Sequence, residues 1–274
     1  MTVVRTVRID EQQVAGKPLG RHGEHDERSR AFAFAPDATG TGGLRTVTHQ
    51  VRVPVLDQRD VGACTGFAVE ACAGTDPFFS AMPDALAIRP TTDADTDAMQ
   101  ALSLYATATR LDAFAGAYPP DDTGSTGLAA AKAATRAGLV SGYRHCFSLS
   151  SVLTALQLTP IITGVNWYEG MDTPDSDGLV HVTGQVRGGH EFCLYGLDVE
   201  NQRVLARNSW GPAYGRSGDF ALSWDDYARL LDEQGDATVM VPLTQPAPIP
   251  IPVQSPADRV LATQMRTWLT AKGL

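Results

Sequence analysis

Cysteine is scarce in this chain: four in 274 residues, namely Cys64, Cys72, Cys146 and Cys193. No short spacing pairs them, so neither a disulfide framework nor a Cys-x-x-Cys zinc site is expected. On one helix Cys64 and Cys72 would stand about 12 Å apart at Cα, too far to bridge. Lysine is scarcer still, three against nineteen arginines, a compositional bias without a mechanism attached. Positive charge is in deficit, with 22 Lys and Arg against 31 Asp and Glu and a net charge of −9. That excludes a broad basic footprint for nucleic acid and attraction to anionic lipid. No apolar run approaches the ~18 to 20 residues of a membrane span. The opening Met1-Thr2-Val3-Val4-Arg5 lacks the apolar stretch of a secretory signal, so a cytoplasmic location is expected.

What is present is globular: 43% hydrophobic and 19% charged residues. At roughly 150 residues per domain this is one large domain or two small ones. Residues 1–45 read as an N-terminal arm. Val3 to Ile9 alternates loosely as a short strand would, residues 20–30 are polar and charged, and 36–43 have loop chemistry. A domain over 46–241 follows. Helical spacing appears from Cys64 to Cys72 through Phe67, Ala68 and Ala71, with Gly74 as the stop. Asp97 is placed to cap a second helix running to Ala115, with Met99, Leu102, Tyr105 and Leu111 on one face. An Ala-rich helix is expected from Ser125 to Ala137, and a short one after Ser148.

After Pro160 the period changes. Ile161 to Trp167, Val180 to Val186, Glu191 to Leu197, Val204 to Asn208 and Asp219 to Leu222 read as strands. Trp224 to Leu231 reads as a helical turn and Ala237 to Val241 as a closing strand. Helices first and strands second predict an α+β fold with a helical lobe and a sheet lobe. Residues 242–256 hold six prolines and read as a stiff linker. Ser255, Pro256 and Asp258 then open an amphipathic helix over 257–274, with Leu261, Met265, Trp268 and Leu269 on one face. A face of that kind beyond a tether suits its own core or a protein partner.

Three segments carry chemistry: Asp57-Gln58-Arg59-Asp60-Val61-Gly62-Ala63-Cys64-Thr65-Gly66-Phe67-Ala68, Gly188-Gly189-His190-Glu191-Phe192, and Asn208-Ser209-Trp210-Gly211 with Gly215 and Gly218 behind it. A thiolate is a strong nucleophile where a thiol is a poor one. Cys64 falls at a helix start, which favours the anion. His190 follows two glycines, where backbone bulk is least. An Asn208 amide oxygen can orient an imidazole, and Trp210 can shield that bond from water. Gln58 can donate to an oxyanion together with the Cys64 N–H.

In this order, Gln…Cys…His…Asn with a turn-to-helix cysteine and Asn-Ser-Trp-Gly, residues 50–241 resemble the papain-like cysteine peptidases. The Asp-Gln-x-x-x-Gly-Ala-Cys-Thr-Gly-Phe-Ala form is most like their compact bacterial, archaeal and phage-borne branch. The resemblance implies a helical lobe and an antiparallel sheet lobe with the active cleft between them. It implies Cys64 as nucleophile, His190 as general base and acid, Asn208 as orienter and Gln58 as oxyanion donor. Gly189, Glu191 and Trp210 would line the substrate site. No metal or other cofactor is implied, and the substrate would be a peptide or protein. The sequence departs from the pattern where Thr65 replaces the usual Trp after the nucleophile and Val61 a half-cystine. Residues 1–45 are too short for the family's long inhibitory propeptide but long enough to cover a cleft.

Other readings remain open at this point. A silent scaffold docking to an assembly through its C-terminal helix would need no reactive Cys64, and acyl transfer to an amine would differ only in the acceptor. Glu191 stands where the family usually has a small residue bordering a substrate pocket. A carboxylate there would favour a basic substrate residue, or it would hydrogen-bond within its own lobe. His22, Glu24, His25 and Asp26 read as a solvated charged arm ahead of a metal site. Cys72, Cys146 and Cys193 read as packing residues, and His49, His145 and His181 have no partner pattern.

Overall fold

The ten-residue helix α1 (Cys64–Ala73) is buried on every side. It can be, because it is walled by helices on one side and by a sheet on the other. The structure, a computed structural model, describes residues 18–23, 26–35, 43–86 and 88–243. The expected strand over Val3 to Ile9, the expected helix over 257–274 and the linker beyond residue 243 lie outside them.

The helical lobe contains α1, the short α2 (Phe78–Ala81), α3 (Ala94–Ala108) and α4 (Gly127–Arg136). Gly66 lets α3 reach the backbone of α1: a Cβ there would lie 2.2 Å from the Ala101 carbonyl oxygen. The Thr126 side chain caps α4 on the Ala129 N–H. The small side chains of Ala130, Ala133 and Ala134 let α4 bury one face beside α1.

The sheet lobe is built on antiparallel strands in the order β2 (Gly142–Cys146), β7 (Asp236–Val241), β3 (Ile161–Tyr168), β4 (Val186–Asp198), β5 (Arg203–Arg207) and β6 (Asp219–Ser223). A two-residue strand, β1 (Val47–Thr48), pairs with the far end of β4. Two further helices, α5 (Leu149–Leu156) and α6 (Trp224–Asp232), cover one face. A reciprocal Ser148–Ser151 capping box starts α5.

Strand alternation sends neighbours to different cores. Ile161, Phe192 and Leu194 pack with Leu153, Trp167 and Trp224 in the sheet lobe. Ile162 and Cys193 pack instead with Val69, Cys72 and Ala130 of the helices. The two lobes therefore share the strands β3 and β4, and α1 lies directly on β4.

Several expectations are corrected. The cap of α3 is Asp93, not Asp97: the Asp93 side chain accepts from the Thr96 N–H. The helix also ends at Ala108, well short of Ala115, and buries Ala101, Leu104 and Tyr105 while Met99 is exposed. Asp97 lies inside the first turn, buried, and accepts from the Thr91 N–H and hydroxyl. Val180 to Val186 is not a strand: Leu179 makes one bridge to Ala221, and glycines with positive φ at Gly178 and Gly184 turn the chain. β4 instead begins at Val186, so His190 lies inside a strand and not at its start. The sequence pattern does not predict β2 or α2.

Candidate active site

His190 and Glu191 sit opposite Val165 and Gly164 in the β3–β4 register. His190 has no solvent exposure. Its ring lies 4.6 Å from the Trp210 ring at 30°, and the Trp167 ring meets it edge-on at 4.9 Å. Its Nε2 is 2.7 Å from Asn208 Oδ1. That oxygen also accepts from the Ser209 N–H at 2.7 Å, which fixes the amide's orientation. Nε2 is therefore the nitrogen carrying hydrogen, and in the neutral ring Nδ1 is the basic one. Nδ1 has no hydrogen-bond partner among the described residues. Burial pulls the imidazole down to about 4; the Asn208 bond opposes this, and the Arg187 charge adds to it.

Asn208 follows β5 directly. The turn behind it depends on Gly218, which has φ +90 and accepts from the Asn208 N–H at 2.9 Å. The same turn is tied to the segment before α1. The Gln58 N–H donates to the Ser209 carbonyl at 2.8 Å, and the Ser209 hydroxyl donates to Gln58 Oε1. Gln58 Nε2 donates to the Val61 carbonyl at 2.9 Å. Cys64 is the first residue of α1, fully buried and in no disulfide. Asp122, a turn residue by sequence, steadies this approach: it accepts from the Gly62 N–H at 2.8 Å and from the Tyr105 hydroxyl.

The arm runs across these groups. The Pro18 carbonyl accepts from Gln58 Nε2 at 3.4 Å and from Trp210 Nε1 at 3.3 Å. The Gly20 and Arg21 N–H groups donate to the Gly189 carbonyl at 3.2 and 3.0 Å. On the other wall the Ser125 N–H donates to the Gly20 carbonyl and the His22 N–H to the Ser125 carbonyl, both at 2.8 Å. Gly20 crosses Gly62 so closely that a Cβ would lie 1.9 Å from its carbonyl oxygen. Gly189 is equally bare for a reason: a Cβ there would meet the Arg21 carbonyl at 2.1 Å.

Glu191 is also fully buried, but among the described residues neither carboxyl oxygen has a hydrogen-bond partner. Burial and the nearby Asp236 hold its pKa well above the usual carboxylate range, and Arg21 opposes them. A hydrogen bond within its own lobe, one of the two readings of Glu191, is therefore not found. Arg21 and Asp236 were missed by sequence reasoning, since nothing local marks either. His22 stacks on Phe114 and contacts the Thr123 carbonyl. Among the described residues no group of side chains is arranged to hold a metal ion, and no helix is long and apolar enough to cross a membrane.

No family model matches the chain, and no curated protein matches its sequence. Among solved structures, xylellain, a cysteine protease from Xylella fastidiosa, superposes with a TM-score of 0.64 at 15% identity, over 87% of this chain and 100% of that one. The bromelain protease from Ananas comosus gives 0.42 at 13% identity, over 70% and 94%. Procathepsin L 3 from Tenebrio molitor gives 0.43 at 16% identity, over 77% and 74%. The first of these shows the fold: the chain has the α+β architecture of papain-like cysteine proteases.

Proposed function

We propose that a chain with this fold is a thiol peptidase in which Cys64, His190, Asn208 and Gln58 act together. The observation that carries the reading is the His190–Asn208 bond at 2.7 Å, buried beneath Trp210. It leaves Nδ1 as the nitrogen that exchanges a proton. Cys64, at the start of α1, attacks a peptide carbonyl as its thiolate. His190 passes the proton to the leaving amine, and an acyl-enzyme forms. Water, deprotonated by His190, then releases the acid and restores the thiol. Gln58 Nε2 supports the oxyanion, and its present bond to the Pro18 carbonyl is the kind of contact that role requires. Asn208 holds the ring's tautomer and does not exchange protons itself.

Hydrolysis of a peptide library by the full chain tests this. Activity should fall by about 10³-fold or more in Cys64→Ala and in His190→Ala. Cleavage that persists undiminished in Cys64→Ala would refute the reading and favour a silent scaffold.

A further inference from the structure

Among the described residues of the arm, Arg21 is the best-buried charged side chain, 2% exposed. Its Nε and Nη2 both reach Asp236 Oδ2, at 3.2 and 2.5 Å, and Nη2 also donates to the Gln234 carbonyl at 2.7 Å. Glu191 borders the same space. A Cβ on Gly164 would strike Glu191 Oε2 at 2.3 Å and Arg21 Nε at 2.5 Å. A Cβ on Gly127 would strike Glu191 Oε1 at 2.6 Å and Asp236 Oδ1 at 2.8 Å. Two glycines thus clear a pocket that two carboxyl groups wall and one guanidinium fills.

The pocket's hydrogen bonding is incomplete. Arg21 bonds Asp236 and leaves both oxygens of Glu191, and Asp236 Oδ1, without a partner among the described residues. A fully buried carboxyl in the state of Glu191 is costly. The Arg21–Asp236 pair, whose Asp236 side chain is 31% exposed, is screened by solvent and is weak evidence for a purely stabilising role. The backbone explains why Arg21 is there. Its segment is extended and hydrogen-bonded to both walls of the cleft, at Gly189 and Ser125. Any extended peptide held by the same groups would direct a side chain to the same place.

We propose that the Glu191–Asp236 pocket is a specificity subsite for an arginine or lysine side chain of the peptide substrate, and that Arg21 occupies it until substrate displaces the arm. This rests on the peptidase reading above. A cation placed to reach both carboxyl groups lets Glu191 ionise and gains a second charge-assisted bond. A neutral side chain of equal size leaves both groups unpaired, which is how a buried polar site rejects the wrong ligand.

The test uses the full chain carrying Arg21→Ala and fluorogenic tetrapeptides that differ only in arginine, lysine, citrulline or leucine at one position. At one position arginine and lysine should exceed citrulline by at least about 10-fold in kcat/KM. Glu191→Gln and Asp236→Asn should each lower that ratio, and the pair should erase it. Alkylation of Cys64 counts folded sites in each variant, and the ratio is independent of that count. Equal rates at every position, or a preference that survives the double variant, would overturn the proposal. If no peptide is cleaved, the peptidase reading fails, and the pocket is read by binding instead. In Cys64→Ser with Arg21→Ala, an arginine peptide should bind at least about 10-fold tighter than its citrulline twin; equal binding would overturn the subsite.

Discussion

His190 and Glu191 are adjacent on one strand and equally buried, yet their polar atoms are treated in opposite ways. His190 has a fixed partner in Asn208 and aromatic walls in Trp167 and Trp210. Glu191 has no hydrogen bond among the described residues and faces another carboxyl group, with Arg21 of the arm beside them. On the proposed reading, a group whose state must be controlled at every step is held from within the lobe, and a group that recognises something from outside is left incomplete by the lobe. On that reading the contrast separates proton transfer from recognition across a single peptide bond.

The largest effect that bears on this contrast is at Gln58. Gln58→Ala should lower kcat/KM by about 10² to 10³-fold, the range for one oxyanion donor; a change under about 3-fold would remove Gln58 from the chemistry. Asn208→Ala comes next, with a loss of about 10- to 100-fold, since the imidazole remains but its tautomer is no longer fixed. An unchanged rate would mean that the Trp210 and Trp167 rings alone position His190.

The remaining effects are on stability, and they have opposite signs. The unfolded chain protonates His190 below about pH 6.5, whereas the folded chain resists to about 4. Stability from this group is therefore lost as pH falls between those values, by ~3 kcal/mol at most. The Glu191 pKa is raised on folding, so its stability is present at low pH and lost as pH rises above about 4.5. Thermal unfolding should show His190→Gln gaining on the parent as pH falls from 7 to 4.5, and Glu191→Gln gaining as it rises from 5 to 8. Parallel profiles for parent and variants would break the comparison.

Much of the candidate site was legible because the residue types proposed for its chemistry stand in local patterns. Gln58, Cys64, His190 and Asn208 are marked by residue type beside glycines and a helix start, and the boundaries of α1, α4 and α5 follow glycine and capping signals. The errors came where tertiary context overrides local preference. Val180 to Val186 has β-forming residues, but two glycine turns and a single bridge leave it outside the sheet. Arg187 to Gly189 has little β propensity, yet it pairs with β3, where Trp167 and Asn166 lie opposite Gly188 and Gly189. Arg21 bonds a residue 215 positions away, and no local pattern records such a contact.

The most direct measurement is the pH dependence of Cys64 alkylation, read by peptide mass mapping in the full chain, in Arg21→Ala and in Arg21→Ala with His190→Ala. An unperturbed thiol has a pKa near 8.5 and reacts little at about pH 6. Labelling should be slow in the full chain, where Cys64 is fully buried. In Arg21→Ala, Cys64 should label rapidly near pH 6, and that low-pH reactivity should vanish when His190 is also removed. Labelling of Arg21→Ala only above about pH 8, unchanged by removing His190, would contradict a Cys64 thiolate primed by His190 beneath the arm.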